Sequence, residues 1–334
     1  MGVHRLFFLL FFVILSSCSQ REKENTPPNN LELVTFTRLL DYDLGNLENE
    51  IKNLGDILQG YFEKKDSILA VADRGRYKFQ GGIANAIPNE DPNLSTIYIS
   101  SKAQNMDEVM DLLYLTNPID HHFKELFEKY EVLSQVYFNS KLQINRLYPP
   151  YDANTMLEPD LHIPSFNFYY EADLDYNPEK KTVWVKDIYI DPVGKGWVAS
   201  LIHPVYVEED LKMVLGFDIT VNDLIEFYLN NTSRNLVIID GAGTVVAGKS
   251  KGIEALSLPP LKNFTYNQTI KADNFRMEDF NLFRSKSKEV RKLASKVILS
   301  GEESFFLKDG QESVAISVVK MDRMDWFVLD IVFE

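Results

Sequence analysis

Residues 188–206 read IYIDPVGKGWVASLIHPVY. Two strand-like runs, rich in β-branched and aromatic residues, flank a turn containing Pro192, Gly194 and Gly196. KMVLGFDIT (212–220) follows as a further strand and VNDLIEFYLNN (221–231) as a helix. Alternation along that strand places Val214, Gly216 and Asp218 on one face. A carboxylate inside an apolar strand needs a donor or a cation, so Asp218 is either a ligand contact or a tie for the next helix. Thr220 with Asp223 resembles a capping box at that helix start. Of the aromatic residues around the turn, Tyr189 is the pocket candidate, and Trp197 and His203 read as structural.

Working outward, apolar residues recur at Leu40, Leu44, Leu47, Ile51, Leu54, Leu58 and Tyr61. Steps of three and four predict a helix of about 23 residues, roughly 35 Å long. The same steps fit a core-packing helix and a stalk or dimer seam. STIYISS (95–101) reads as a strand, and MDEVMDLLYLT (106–116) and IDHHFKELFEKYE (119–131) as helices. LSQVYFNSKLQINRLYPP (133–150) holds two strands around Asn139–Ser140, and 152–167 is an irregular connection. RNLVIIDGAGTVVAGKS (234–250) opens a smaller unit as strand, turn and strand. Helical material around 286–299 and two terminal strands, ESVAISVVKM and WFVLDIVF, complete it. The fold class is α+β: a long N-terminal helix, then two subdomains with antiparallel sheets, 31–230 and 231–334.

Net charge is −14 with no basic tract, which excludes nucleic acid as a partner and gives no electrostatic attraction to anionic lipid. Attachment has another source. MGVHRLFFLLFFVILSSCSQ carries Arg5, a ten-residue apolar run (6–15) and the chain's one cysteine. The run is too short for a permanent span and reads as a signal peptide, 1–17. Leu15-Ser16-Ser17-Cys18 resembles a bacterial lipobox, which implies lipidation at Cys18, and Ser19 resembles sorting to an outer membrane. Residues 18–30 read as a flexible tether.

The order of elements resembles the double Cache (dCache) family of bacterial extracytoplasmic sensor domains, in which a long helix precedes two PAS-like subdomains. The segments that carry the resemblance are YFNSKLQINRLYPPYD (137–152), the stretch from Trp184 to Phe227, VIIDGAGTVVA (237–247) and DWFVLDIV (325–332). The resemblance implies a small-molecule ligand in the larger, membrane-distal subdomain. In the amino-acid-binding branch an Arg-x-Trp-Tyr element grips the ligand carboxylate, and a later Tyr and Asp hold its ammonium. Aligned on Glu171-Ala172, the aromatic pair falls on Phe168 and Tyr169, the later Tyr on Tyr189 and the Asp on Asp218. The arginine position falls on Phe166, which offers a carboxylate no charged partner. The resemblance therefore implies an amine or another small polar ligand rather than an amino acid.

Asp120-His121-His122 reads as a solvated helix start rather than a metal site, since adjacent histidines on a helix point apart. Gly-x-Ser-x-Gly, phosphate-loop and HExxH motifs are missing from the sequence, so neither an enzyme nor a cofactor is expected. The expectation is a lipid-anchored sensor domain on the periplasmic face, outer membrane or cell surface that closes on its ligand. The sequence stops after the last strand, so a separate signalling protein would read its state. The alternative is a structural or assembly lipoprotein using the fold as an interaction surface.

Overall fold

The structure, a computed structural model, describes residues 30–86, 90–264, 266–271, 275–309 and 312–333. The leader, Cys18 and all of the tether except Asn30 lie outside the described residues.

Helix α1 runs from Leu31 to Glu63, earlier and longer than the apolar spacing predicts. Thr37 interrupts the apolar stripe in the sequence, but its hydroxyl bonds to Leu33 O at 2.9 Å and lets the stripe continue back to Leu33. Leu33, Leu40, Leu44, Leu47, Ile51, Leu54 and Leu58 are all buried. Each such side chain contributes about 1.5–3 kcal/mol of transfer free energy. They pack within this chain, against both sheets, so the heptad-like spacing here marks a core seam.

The larger sheet comprises β1 (Phe79–Gln80), β2 (Ile83–Ala84), β3 (Thr96–Ile99), β4 (Gln135–Asn139), β5 (Ile144–Tyr148), β6 (Val183–Trp184), β7 (Tyr189–Ile190), β8 (Trp197–Val207) and β9 (Asp210–Thr220). Its order is β1-β2-β3-β5-β4-β9-β8-β6, with β7 pairing β8, and every pairing is antiparallel. One face is covered by α1 and by helices α3 (Met106–Leu115) and α4 (Ile119–Lys129), with α2 (Lys65–Val71) between. The other face is roofed by the irregular segment 150–182, which contributes Ile163, Phe168, Tyr169 and Ala172 to apolar clusters there. Strand alternation sorts the two faces: Val136, Phe138, Phe217 and Leu215 look toward the helices, and Gln135, Tyr137 and Asp218 toward the roof.

Thr220 ends β9 and caps the next helix. Its hydroxyl accepts from Asp223 N at 2.9 Å, and the Asp223 carboxylate accepts from Thr220 N at 3.2 Å. This is the anticipated capping box, and Asp218 takes no part in it. The following turns, Leu224–Leu229, widen to i→i+5 bonding, as in Asn230 N to Ile225 O at 2.8 Å.

The smaller sheet is ordered β11-β10-β14-β13-β12, from β10 (Leu236–Asp240), β11 (Val245–Gly248), β12 (Ser304–Asp309), β13 (Glu312–Lys320) and β14 (Trp326–Phe333). Strand β12 is absent from the sequence reading. It is a short edge strand that follows the helix Lys288–Ser300 after residues 301–303, where Gly301 ends the helix in the left-handed region at φ 66°.

Helix α1 is fastened to both sheets at two glycines. At Gly45 a Cβ would lie 2.5 Å from the Arg323 guanidinium; at Gly55 it would lie 2.7 Å from the His203 imidazole on β8. Arg323 donates to Asp41 O at 2.7 Å and to Glu48 at 2.6 Å, and Asp41 accepts from the backbone N–H of Asp322 at 3.1 Å. Thr182 bonds the other side of the His203 ring at 2.8 Å. Burial lowers the pKa of His203 to about 4, consistent with a structural imidazole kept neutral.

One expectation is overturned. Asp120 is fully buried, not solvated. It accepts from Arg146 at 2.7 Å, Tyr77 at 2.8 Å, Ser95 at 2.8 Å and Arg76 at 3.2 Å. The reason is the register of β5, which puts Arg146 on the helix side, where only a carboxylate can offset its charge. His121, next in sequence, is exposed and pairs with Glu125.

Candidate functional site

A cavity of about 50 Å³ lies between the larger sheet and its roof, enough for about three or four water-sized groups. Its floor comes from β4, β5 and β9: Gln135, Tyr137 and Asn139, Asn145 and Leu147, and Asp218. The roof supplies Leu157, Leu161, Ile163, Phe166 and Phe168, and the turn after β7 supplies Asp191, Pro192 and Val193 beside Tyr189. Phe166 and Phe168 stack at 5.0 Å with rings 8° from parallel, and Phe168 meets Tyr137 edge-on and Tyr189 at a tilt.

The hairpin turn builds one polar wall. Gly194 and Gly196 sit at φ 84° and 95°, a conformation that glycine adopts without strain. The turn they make points the backbone N–H groups of Val193 and Lys195 at the Asp191 carboxylate, at 3.2 and 3.1 Å. Gln135 Nε2 adds a third donor at 2.6 Å. Burial nevertheless raises the pKa of Asp191.

Asp218 forms the second polar wall. Its Oδ1 accepts from Ser200 Oγ at 2.6 Å and from the Tyr137 hydroxyl at 3.0 Å. Tyr189 lies 2.7 Å from Ser200 Oγ. With the Ser200 proton directed at the carboxylate, Tyr189 donates to Ser200, and the three form a relay. Tyr137 reaches Asp218 because position 216 is glycine: a Cβ there would lie 2.1 Å from the Tyr137 ring. Burial, then the nearby Asp191 charge, push Asp218 up to about 8, against the pull of its two donors. Burial and Asp218 likewise hold Tyr137 and Tyr189 as neutral phenols.

Two carboxylates thus share one small cavity, and among the described residues that line it there is no lysine, arginine or histidine. Three further polar atoms there are buried without a hydrogen-bond partner: Gln135 Oε1, Asn145 Oδ1 and the Tyr151 hydroxyl. Such atoms cost about 1–3 kcal/mol each when left unsatisfied. Chemically, this lining matches a group that donates hydrogen bonds and carries positive charge.

Of the residues singled out in the sequence, Phe168, Tyr189 and Asp218 come together here, with Phe166 beside them. Tyr169 does not line the cavity; it is buried in the neighbouring cluster with Ile163, Ala172 and Tyr206, because adjacent residues on the one-turn helix Asn167–Tyr170 point apart. Trp184 turns away to α1, where its indole N–H meets Glu48 at 3.1 Å. Sequence reasoning missed Gln135, Asn145, Tyr151 and Asp191. A signal was available for the first: Gln135, Tyr137 and Asn139 alternate with Val136 and Phe138, a polar face on a fully buried strand.

Among the described residues, no helix is long and apolar enough to cross a membrane, and no group of three or more acidic, histidine or cysteine side chains could hold a metal ion.

No protein-family model and no curated protein matches the chain. Solved structures do. The ligand-binding domain of Mlp24 with asparagine aligns with 91% of this chain and 90% of its own, at 11% identity and a TM-score of 0.46. The ligand-binding domain of the Campylobacter jejuni chemoreceptor Tlp3 in complex with L-valine aligns with 89% of this chain and 96% of its own, at 19% identity and a TM-score of 0.43. The Tlp3 sensory domain with isoleucine gives 89%, 96%, 17% and 0.42. Each of these alignments spans about nine-tenths of the chain.

Proposed function

We propose that this chain is a non-enzymatic, small-molecule-binding sensor domain that takes a small organic amine into the cavity of the larger sheet. Units 31–230 and 231–334 form the binding and the smaller subdomain, Cys18 carries a lipid anchor outside the cytoplasm, and a separate partner reads the bound state. The observation that supports this reading is the pair of buried carboxylates, Asp191 and Asp218, in a cavity without a lining cation. An ammonium group supplies the missing charge and three donors, and the Phe166, Phe168 and Tyr189 rings suit a cation as well as an alkyl chain. Phe166, where a carboxylate would need arginine, argues against amino acids.

The test is a thermal-shift and calorimetric screen of the purified full-length chain against alkylamines, amino acids and carboxylic acids. Amines should raise the melting midpoint, as any ligand that binds only the folded state does. Asp218→Asn should sharply reduce that shift while leaving the chain folded. A screen in which only carboxylic acids bind would overturn the reading. Replacing Cys18 with Ser should release the protein from membranes, and persistent attachment would remove the anchor from the proposal.

A further inference from the structure

We propose that Gln135 and Tyr151 form a second subsite in the cavity, one that takes a hydroxyl group carried by the same small amine, so that the ligand is an amino alcohol. The inference rests on the amine reading and narrows it.

The Gln135 amide is oriented by its neighbour. Its Nε2 lies 2.6 Å from Asp191 Oδ2, and the reverse orientation would set two acceptors against each other. Oε1 is therefore the atom left over, and it is buried without a partner in a residue that has no exposed surface. Tyr151 is 5% exposed and its hydroxyl is also unpartnered. Both residues line the cavity on the side of Asp191, whose charge the Tyr151 hydroxyl feels. Register places Gln135 directly across from Asp218, and Gln135, Tyr151 and both carboxylates line the one cavity.

The two leftover atoms differ in kind. Gln135 Oε1 only accepts, and the Tyr151 hydroxyl has a proton to give. A ligand hydroxyl answers both with one oxygen, donating to Gln135 and accepting from Tyr151. A methyl group of the same size answers neither. A carboxylate would accept from Tyr151 but would face Gln135 Oε1 and the Asp191 charge. The cavity volume, about 50 Å³, suits a molecule of about four heavy atoms rather than a longer one.

Two isosteric probes separate these cases: 2-aminoethanol and propylamine, which differ by hydroxyl against methyl. Titration calorimetry on the full-length chain should give 2-aminoethanol about tenfold tighter binding, the scale of one satisfied pair of hydrogen bonds. In Tyr151→Phe that preference should fall to about threefold or less. Because this hydroxyl bonds no other group of the chain, Tyr151→Phe should melt no lower than the parent, which keeps the test clear of folding defects. Asp218→Asn should weaken both amines in parallel without changing their ratio. Equal affinity for the two probes in the parent, or a preference that Tyr151→Phe leaves intact, would show that water satisfies these atoms and would overturn the subsite while sparing the amine reading. Failure of both probes to bind would overturn the two together.

Discussion

Replacing Asp120 with alanine tests whether the buried charge behind the cavity floor holds the larger sheet together. The carboxylate accepts four hydrogen bonds, two of them from arginines, in a fully buried position. Without it Arg146 keeps only neutral acceptors, Leu113 O at 3.0 Å, the Tyr77 hydroxyl at 3.1 Å, Asn117 Oδ1 at 3.2 Å and Thr116 Oγ1 at 3.3 Å. Breaking one side of such a pair costs about 3–5 kcal/mol, a large share of the roughly 5–15 kcal/mol of a folded domain. Melting followed by circular dichroism should drop by roughly 10 °C. The double variant Asp120→Leu with Arg146→Met should recover most of the loss, because both fully buried charges are then gone, and Arg76, about one-third exposed, can be hydrated. A single variant within about 0.5 kcal/mol of the parent, as an exposed helix-start acid would give, would refute the reasoning. So would a double variant whose losses simply add.

Two further outcomes follow from the cavity. Asp218 titrates at about 8 in the folded chain and near 3.8 otherwise, so between those values the folded state holds the extra proton. Stability without ligand should therefore fall as pH rises from about 4 to about 8, while affinity for an amine should rise up to tenfold per pH unit over the upper part of that range. Affinity that is flat with pH would mean that Asp218 does not meet the cation. Gly216→Ala would bring a Cβ to 2.1 Å from the Tyr137 ring. It should cost about 1–3 kcal/mol in urea melts and weaken amine binding through the displaced Tyr137–Asp218 bond; unchanged binding would detach Tyr137 from the site.

The central hairpin, the long helix and strands β3, β4, β5, β8 and β9 were legible because each has an apolar pattern and recognisable turn residues, whereas the two-residue strands β1, β2 and β6 are too short to show one. Strand β12 was not, since six residues with an exposed Phe306 in the middle resemble a loop end as much as an edge strand. At the site, Tyr189 and Asp218 stand out as polar groups in apolar strands. Asp191 does not, because Asp-Pro before glycines is ordinary turn composition, and only the folded turn reveals that its carboxylate faces inward. Asp120 misled for the opposite reason: an acid at a helix start is usually solvated, and its arginine lies 26 residues later on another element. Pairings between distant elements leave no mark on local pattern.

Helix α1 bears on how the chain could be cut. It precedes the larger sheet in sequence, yet Asp41 and Glu48 hold Asp322 and Arg323 at the far end of the chain, and Glu32 pairs with Arg234. A fragment beginning at residue 231 would lack the helix that covers β13 and β14, and would present that apolar face to water. Division after residue 230 therefore separates the units in sequence only. A recombinant smaller half would have to bring its own copy of the first helical turns, while the larger sheet also relies on the later ones, where Gly55 meets His203.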